Sequence, residues 1–251
     1  MNPLDLSSKA TRFRKELGED ATSPIDIFAL ALTIENLTIF LYPLGNEISG
    51  MCIKTDDICV IAVNSSMSKA RQRFTLAHEL FHYKYGKVGE STICSTNLTS
   101  DSDTSIERDA DLFASYLLLP PGSYEDRIEA AKQKHGQIRQ SDLIWIEQQY
   151  RISHQAMLWR LTNERTITPA ENLSLKDGVV REARRLGFNT DLYLVIGAEK
   201  AERKVLGHYV KMADILLAQE KISNGKYSEL LLDGFREDIV FGNEEDEQID
   251  D

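Results

Sequence analysis

Two histidines four residues apart, with a glutamate beside the first, are the residues of this sequence best suited to chemistry. They occur in His78-Glu79-Leu80-Phe81-His82, an HExxH motif. Residues four apart lie on the same face of a helix, so both imidazoles can bind one metal ion. The glutamate is turned away from the ion but can reach a water held beside it. The motif therefore predicts Zn2+ bound by His78 and His82, with Glu79 as the base of a hydrolytic reaction.

A catalytic zinc needs a third protein ligand and a position left open for water. Glu107 and Asp111 lie four residues apart on the next predicted helix, so they share one of its faces. This spacing favours Glu107 as the third ligand and Asp111 as the acceptor of an N–H from a ligand histidine. Weaker ligand candidates are Asp109, on another face, and three acidic residues of the preceding loop: Glu90, Asp101 and Asp103.

Helical periodicity predicts the elements that must position these residues. Apolar side chains at spacings of three and four predict a helix over 68–85, which carries the HExxH motif. A second helix is predicted over 105–119, where Pro120-Pro121 ends it. The alternative interpretation is that the two histidines are ordinary residues of an amphipathic helix and bind no metal. A motif that falls inside an independently predicted helix favours the metal site.

The predicted fold class is α+β. Three β-rich runs, 37–42, 48–54 and 58–63, predict a small antiparallel sheet packed on the active-site helix. A polar loop is expected over 90–104. A helical subdomain and a mixed carboxy-terminal region are expected to follow.

The domain division rests on weaker signals. Residues 1–165 are predicted to form the zinc metallopeptidase domain, 166–242 a mixed region of unknown role, and 243–251 an acidic, disordered tail. The candidate linker is 163–172, which contains Pro169. Beyond it, the pattern predicts helices over 173–186, 199–222 and 227–235, and a strand over 191–196.

A helix-turn-helix-like arrangement is predicted within 138–165. Two helices there are joined by Tyr150-Arg151-Ile152-Ser153, and Ser153 is placed to cap the second. The second helix offers Arg160 but is otherwise more apolar than a helix that reads a DNA groove. Direct DNA binding is therefore disfavoured, and contact with the protease core or a protein substrate is favoured.

Composition excludes several classes of protein. The formal net charge of −11 argues against a general nucleic-acid binder, because an acidic surface repels phosphate. The sequence lacks a secretory segment and any apolar run of about 18 residues, so a cytoplasmic protein without membrane contact is expected. Three cysteines, Cys52, Cys59 and Cys94, have no CxxC spacing, which favours reduced thiols over disulfides or a cysteine–zinc site.

Three runs of the sequence resemble the ImmA/IrrE family of metallopeptidases, over roughly residues 5 to 165. The resemblance rests on Arg71-Gln72-Arg73-Phe74-Thr75-Leu76-Ala77-His78-Glu79-Leu80-Phe81-His82, on Glu107 with Ala110, Phe113-Ala114 and Leu117-Leu118-Leu119-Pro120, and more weakly on 150–161. It implies zinc held by His78, His82 and Glu107, with Glu79 as general base. Two departures are Asp111, where the family usually has asparagine, and Phe81, where glycine is common.

The predicted function is a zinc-dependent, gluzincin-like endopeptidase. The resemblance implies a bacterial or phage protein that cleaves a helix-turn-helix (XRE-type) repressor and so relieves repression. One rival is a non-catalytic regulatory protein that binds DNA or a repressor partner and holds a structural zinc closed by four ligands. Another is a component that silences its partner by complex formation alone. The oligomeric state and the residue that stabilises the oxyanion stay open; candidates for the latter are His154, His208, Tyr83 and Tyr116.

Overall fold

Five strands form one mixed sheet. The structure, a computed structural model, describes residues 2–89, 91–95 and 104–242. The strands are β1 (Leu37–Tyr42), β2 (Ile48–Lys54), β3 (Cys59–Asn64), β4 (Ser91–Ser95) and β5 (Lys204–Gly207), in the spatial order β4-β2-β3-β1-β5. The α+β class is confirmed. The purely antiparallel sheet is wrong, because β3 forms a hairpin with β2, inserts between β2 and β1, and so runs parallel to β1.

Two of the strands lie where none was predicted. β4 falls in the expected polar loop, yet it pairs with β2 and alternates an exposed Ile93 with a buried Cys94. β5 falls inside an expected helix and pairs with β1. Conversely, the expected strand over 191–196 contains turns instead. Pairing partners distant in the chain decide these outcomes, and local composition does not reveal them.

Twelve helices lie among the described residues. They are α1 (Pro3–Glu16), α2 (Ile27–Ala31), α3 (Lys69–Tyr85), α4 (Thr104–Leu118), α5 (Glu125–His135), α6 (Gln140–Tyr150), α7 (His154–Asn163), α8 (Pro169–Leu175), α9 (Val179–Arg185), α10 (His208–Ala218), α11 (Asn224–Asp233) and α12 (Glu237–Phe241). α3 packs across β2 and β3, and α4 packs between α3 and α1. Leu76, Ala77 and Leu80 of α3 are fully buried in this core.

Polar side chains fix both ends of α3. At its start, Ser68 accepts a hydrogen bond from the Arg71 amide, and the Gln72 side chain donates to the Ser65 carbonyl at 2.9 Å. At its end, Lys54 Nζ donates to the Tyr83 carbonyl at 2.7 Å, where a cation also complements the helix dipole. The helix is thereby held in register on the sheet.

The region after residue 165 is more closely joined to the rest than a linker would suggest. Thr168 caps α8 inside the expected linker and forms a capping box with Glu171. The helix expected over 173–186 is interrupted at Gly178, whose φ is 87°. β5 contributes an edge to the sheet of the amino-terminal part. The division at residue 165 stays a prediction, and the acidic tail 243–251 lies outside the described residues.

Among the described helices, none is both long and apolar enough to cross a membrane.

Candidate metal centre

α3 and α4 bring three of the sequence-predicted residues into direct contact. His78 Nε2 lies 3.0 Å from Glu107 Oε2 and 3.3 Å from His82 Nε2. His82 Nε2 lies 3.4 Å from Glu107 Oε1.

One of the four weaker ligand candidates, Asp109, lies among the described residues. Within the described residues, Asp109 does not belong to the group. The acidic residues of the expected loop, Glu90, Asp101 and Asp103, lie outside the part of the chain that the structure describes. Glu107 is therefore the carboxylate that meets both histidines.

Cys94 is the potential ligand that sequence reasoning missed. The sequence argued against a cysteine–zinc site, but Cys94 Sγ on β4 lies 3.7 Å from Glu107 Oε2. The ligand atoms of His78, His82, Cys94 and Glu107 all lie within 4.8 Å of one another. Burial raises the pKa of the Cys94 thiol to about 12. The only sequence signal was its position between the two ligand-bearing helices.

The spacing of these atoms is close to that around a zinc ion, with the His78–Glu107 pair, at 3.0 Å, shorter than a tetrahedral ion requires. A tetrahedral zinc has bonds of about 2.0 to 2.3 Å, so neighbouring ligand atoms lie about 3.3 to 3.8 Å apart. The nitrogen and oxygen pairs above are 3.0 to 3.4 Å apart, and the sulfur–oxygen pair is 3.7 Å apart. The longer sulfur distance agrees with the longer Zn–S bond. Histidine, carboxylate and thiolate are also the ligand types that zinc prefers.

Asp111 orients one of the histidines. Its Oδ1 lies 2.9 Å from His78 Nδ1, so that nitrogen can donate a hydrogen bond while Nε2 keeps its lone pair toward the centre. Burial alone would lower the pKa of His78, but contacts with Asp111, Cys94 and Glu107 outweigh it and raise the pKa well above its ordinary value.

Glu79 differs from every other acidic residue of the site. It is fully buried, and neither of its side-chain oxygens has a hydrogen-bond partner among the described residues. Burial raises the pKa of Glu79 to about 7, although the charge on His78 opposes this shift. The carboxylate lies against Gly50 of β2, where an added Cβ would come within 2.8 Å of Glu79 Oε1 and 2.5 Å of Thr75 Cγ2. Glycine thus allows α3 to approach the sheet.

An aromatic cluster packs against the ring of His82 at the metal centre. Phe81, the position where glycine is common in the resembling family, packs edge-on against His82 at 5.7 Å between ring centroids. It also contacts Tyr85 at 5.2 Å and Phe113 of α4 at 5.5 Å. This packing restrains the His82 ring and ties the two ligand-bearing helices together.

A second buried histidine lies in the helix-turn-helix-like region. His154 Nδ1 is 2.6 Å from Glu147 Oε1, and His154 Nε2 is 2.8 Å from the Leu175 carbonyl. Tyr193 donates its hydroxyl to Glu147 Oε2 at 2.8 Å. These residues, Glu147, His154 and Tyr193, are called the Glu147 cluster below. With both ring nitrogens engaged, His154 has no nitrogen left for an oxyanion.

Arg160, the basic residue that α7 offered for contact with DNA, is only 1% exposed. Its guanidinium lies 4.2 Å from the centroid of the Tyr116 ring and donates to Ser115 Oγ at 3.0 Å. Arg160 therefore joins α7 to α4 and does not present its charge to solvent.

Comparison with known families agrees with this site. The model of Peptidase M78, described as the IrrE N-terminal-like domain, matches residues 24–162, more than half of the chain. The matched span includes α3, α4 and β4, which carry all the potential ligands. A search of curated proteins found no match.

Proposed function

Because the chain belongs to the IrrE N-terminal-like (M78) family of metallopeptidases, we propose that it is a zinc-dependent endopeptidase acting on a protein substrate. His78, His82 and Glu107 would hold the zinc, and Asp111 would fix the tautomer of His78. The observation that carries the proposal is Glu79, a fully buried carboxylate with two unpartnered oxygens beside the ligand group. An unpaired buried polar group costs about 1 to 3 kcal/mol or more, so its retention favours a functional role.

Glu79 would act first as base and then as acid. When bound, zinc supplies Lewis acidity to the scissile carbonyl and the attacking water. Glu79 takes one proton from that water as the water oxygen bonds to the carbonyl carbon. It passes the proton to the amine nitrogen as the C–N bond breaks. A pKa of about 7 suits both steps at neutral pH.

The proposed substrate is a helix-turn-helix repressor, whose cleavage would relieve repression. This part of the proposal rests on the resemblance to the ImmA/IrrE family. The buried Arg160 supports a protein partner over DNA, because the basic residue offered by α7 is engaged inside the fold.

One observation favours the rival, a regulatory protein with a structural zinc. Structural zinc sites are closed by four protein ligands, and Cys94 offers the fourth. Glu79 argues against this rival, because a permanently closed site has no use for an unpartnered carboxylate beside it.

The test uses the purified protein, with zinc and with a chelator, against the repressor-like product of its neighbouring gene. We expect zinc-dependent fragments that accumulate with time. Glu79→Gln keeps size and shape but cannot take a proton, so cleavage should fall roughly 100- to 10,000-fold while zinc and partner stay bound. If neither form nor Cys94→Ala cleaves the partner but all three block its DNA binding, the regulatory rival is correct.

A further inference from the structure

The metal centre contains one potential ligand more than a peptidase needs. Three protein ligands leave room for water in a catalytic zinc site, whereas four close it. We propose that Cys94 binds the metal as a fourth ligand and holds the centre in a closed, resting state. This inference rests on the proposed function, since a resting state has meaning only for a site that can also open.

The geometry of Cys94 supports coordination. Its side chain is only 5% exposed, and its sulfur lies 3.7 Å from Glu107 Oε2, the spacing expected for neighbouring ligands. Coordination replaces the S–H bond by an S–metal bond and releases one proton to solvent. Two neutral imidazoles, one carboxylate and one thiolate then balance the charge of Zn2+. The four ligands and the ion are then neutral together, and the Asp111 carboxylate beside His78 adds a negative charge outside them.

Glu79 provides the independent observation that the closed state is not the only one. Its two oxygens are buried and have no hydrogen-bond partner among the described residues, and Glu79 follows the potential ligand His78 directly in the chain. With Cys94 in the fourth position, Glu79 has no water to act on. With Cys94 withdrawn, a water can enter between Glu79 and the metal and satisfy the carboxylate. Cys94 and the water on which Glu79 would act therefore compete for the same position at the metal.

β4 is suited to release Cys94. It is a five-residue strand at the edge of the sheet, and among the described strands β2 is its only neighbour. The β2–β4 register is irregular between Ile48 and Gly50, opposite Ser95 and Cys94. Ser49, within this irregularity, donates its hydroxyl to the Cys94 carbonyl at 3.1 Å. Edge segments with few partners open at lower free energy than central strands, so Cys94 can leave without disturbing α3 or α4.

The test is spectroscopic and uses the full chain loaded with Co2+ alone. A thiolate ligand gives a sulfur-to-cobalt charge-transfer band in the near ultraviolet. The chain contains three cysteines, so the double variant Cys52→Ala/Cys59→Ala leaves Cys94 as its only thiol. We expect the band in the wild type and in this double variant, and its loss in Cys94→Ala. Cobalt affinity of Cys94→Ala should fall at least about tenfold.

Closure is tested by adding azide to the same samples. Azide should leave the visible d–d spectrum of the wild type unchanged and should shift that of Cys94→Ala, where the fourth position is open. If Cys94→Ala does not fold, Cys94→Ser keeps the size of the side chain and replaces it.

Two spectroscopic results would overturn the inference: the absence of a band in the wild type, or an equal azide response with and without Cys94. Neither readout involves cleavage. If the wild type lacks the band but cleaves the repressor, this inference fails and the proposed function stands. The remaining outcome is a protein that shows the band and excludes azide but cleaves no partner, with or without Cys94. That result removes the proposed function and leaves Cys94 as a structural ligand. It therefore also overturns the resting-state inference.

Discussion

The chain buries two groups of histidine and carboxylate side chains, and they differ in how far protein atoms satisfy them. In the Glu147 cluster, both histidine nitrogens and both carboxylate oxygens have protein partners at 2.6 to 2.8 Å. At the metal centre, potential ligands converge on one point, and Glu79 keeps two unpartnered oxygens. The first arrangement is complete and joins helices, whereas the second needs a cation and a water. At the metal centre, the two unsatisfied oxygens belong to one carboxylate that lies among potential metal ligands, and this combination favours a functional role.

The sharpest test of this difference applies the same substitution to both carboxylates. Glu147→Gln breaks a buried, hydrogen-bonded pair and should lower the free energy of unfolding by about 3 kcal/mol. Glu79→Gln removes a buried charge that has no partner, so stability should stay equal or increase. Urea denaturation of the zinc-loaded proteins measures both. Equal losses at the two positions would show that Glu79 has a structural partner and would break the comparison.

Zinc affinity should depend on the residues of the metal centre and not on the Glu147 cluster. We expect about one zinc per chain in the wild type. Asp111→Ala should weaken zinc binding roughly 10- to 100-fold through lost orientation of His78, and Glu107→Ala should weaken it further because a charged ligand is lost. Glu147→Gln is the matched control and should leave the affinity unchanged. Competition with a chromophoric chelator measures these constants, and full affinity in Glu107→Ala would remove Glu107 from the ligand set.

Gly50 tests whether close packing isolates Glu79. In Gly50→Ala, the new Cβ meets Thr75, Glu79 and the Ala62 carbonyl at 2.5 to 2.9 Å. Because backbone lies among these neighbours, stability should fall by about 1 to 2 kcal/mol, and turnover should fall as Glu79 moves. Gly225→Ala in α11, where the nearest atom is 3.8 Å away, is the control and should be neutral or slightly stabilising. A Gly50→Ala protein with wild-type stability and turnover would contradict this account.

The Glu147 cluster should also leave a signature in the pH dependence of stability. Burial lowers the pKa of His154, but the hydrogen bond and charge of Glu147 outweigh this and raise it. Its stabilisation is therefore fully present below the unfolded pKa of about 6.5 and is lost as pH rises through the folded pKa. The slope is at most about 1.4 kcal/mol per pH unit. Denaturation of zinc-loaded wild type at several pH values measures it, and an unchanged slope in Glu147→Gln/His154→Gln would assign it elsewhere.

Local patterns in the sequence were enough to place the two ligand-bearing helices. The spacings of His78, His82, Glu107 and Asp111 each follow from the helical repeat, and the structure brings these side chains together. The role of each residue stays a prediction. Cys94 was missed because it reaches the centre through the pairing of β4 with β2, which depends on residues about 40 positions apart. Tyr193 escaped notice for the same reason, since its partner Glu147 lies 46 residues earlier.

The pairing of β1 with β5 has a consequence for synthesis on the ribosome. Gly207, the last residue of β5, is made 165 residues after Tyr42, the last residue of β1. At about 5 to 20 residues per second, that interval is roughly 8 to 33 s. During it, β1 already has β3 on one side, but its other backbone edge has no native strand to pair with. The nascent chain therefore exposes an open sheet edge until β5 has been made, a period in which chaperones or a neighbouring nascent chain can bind it.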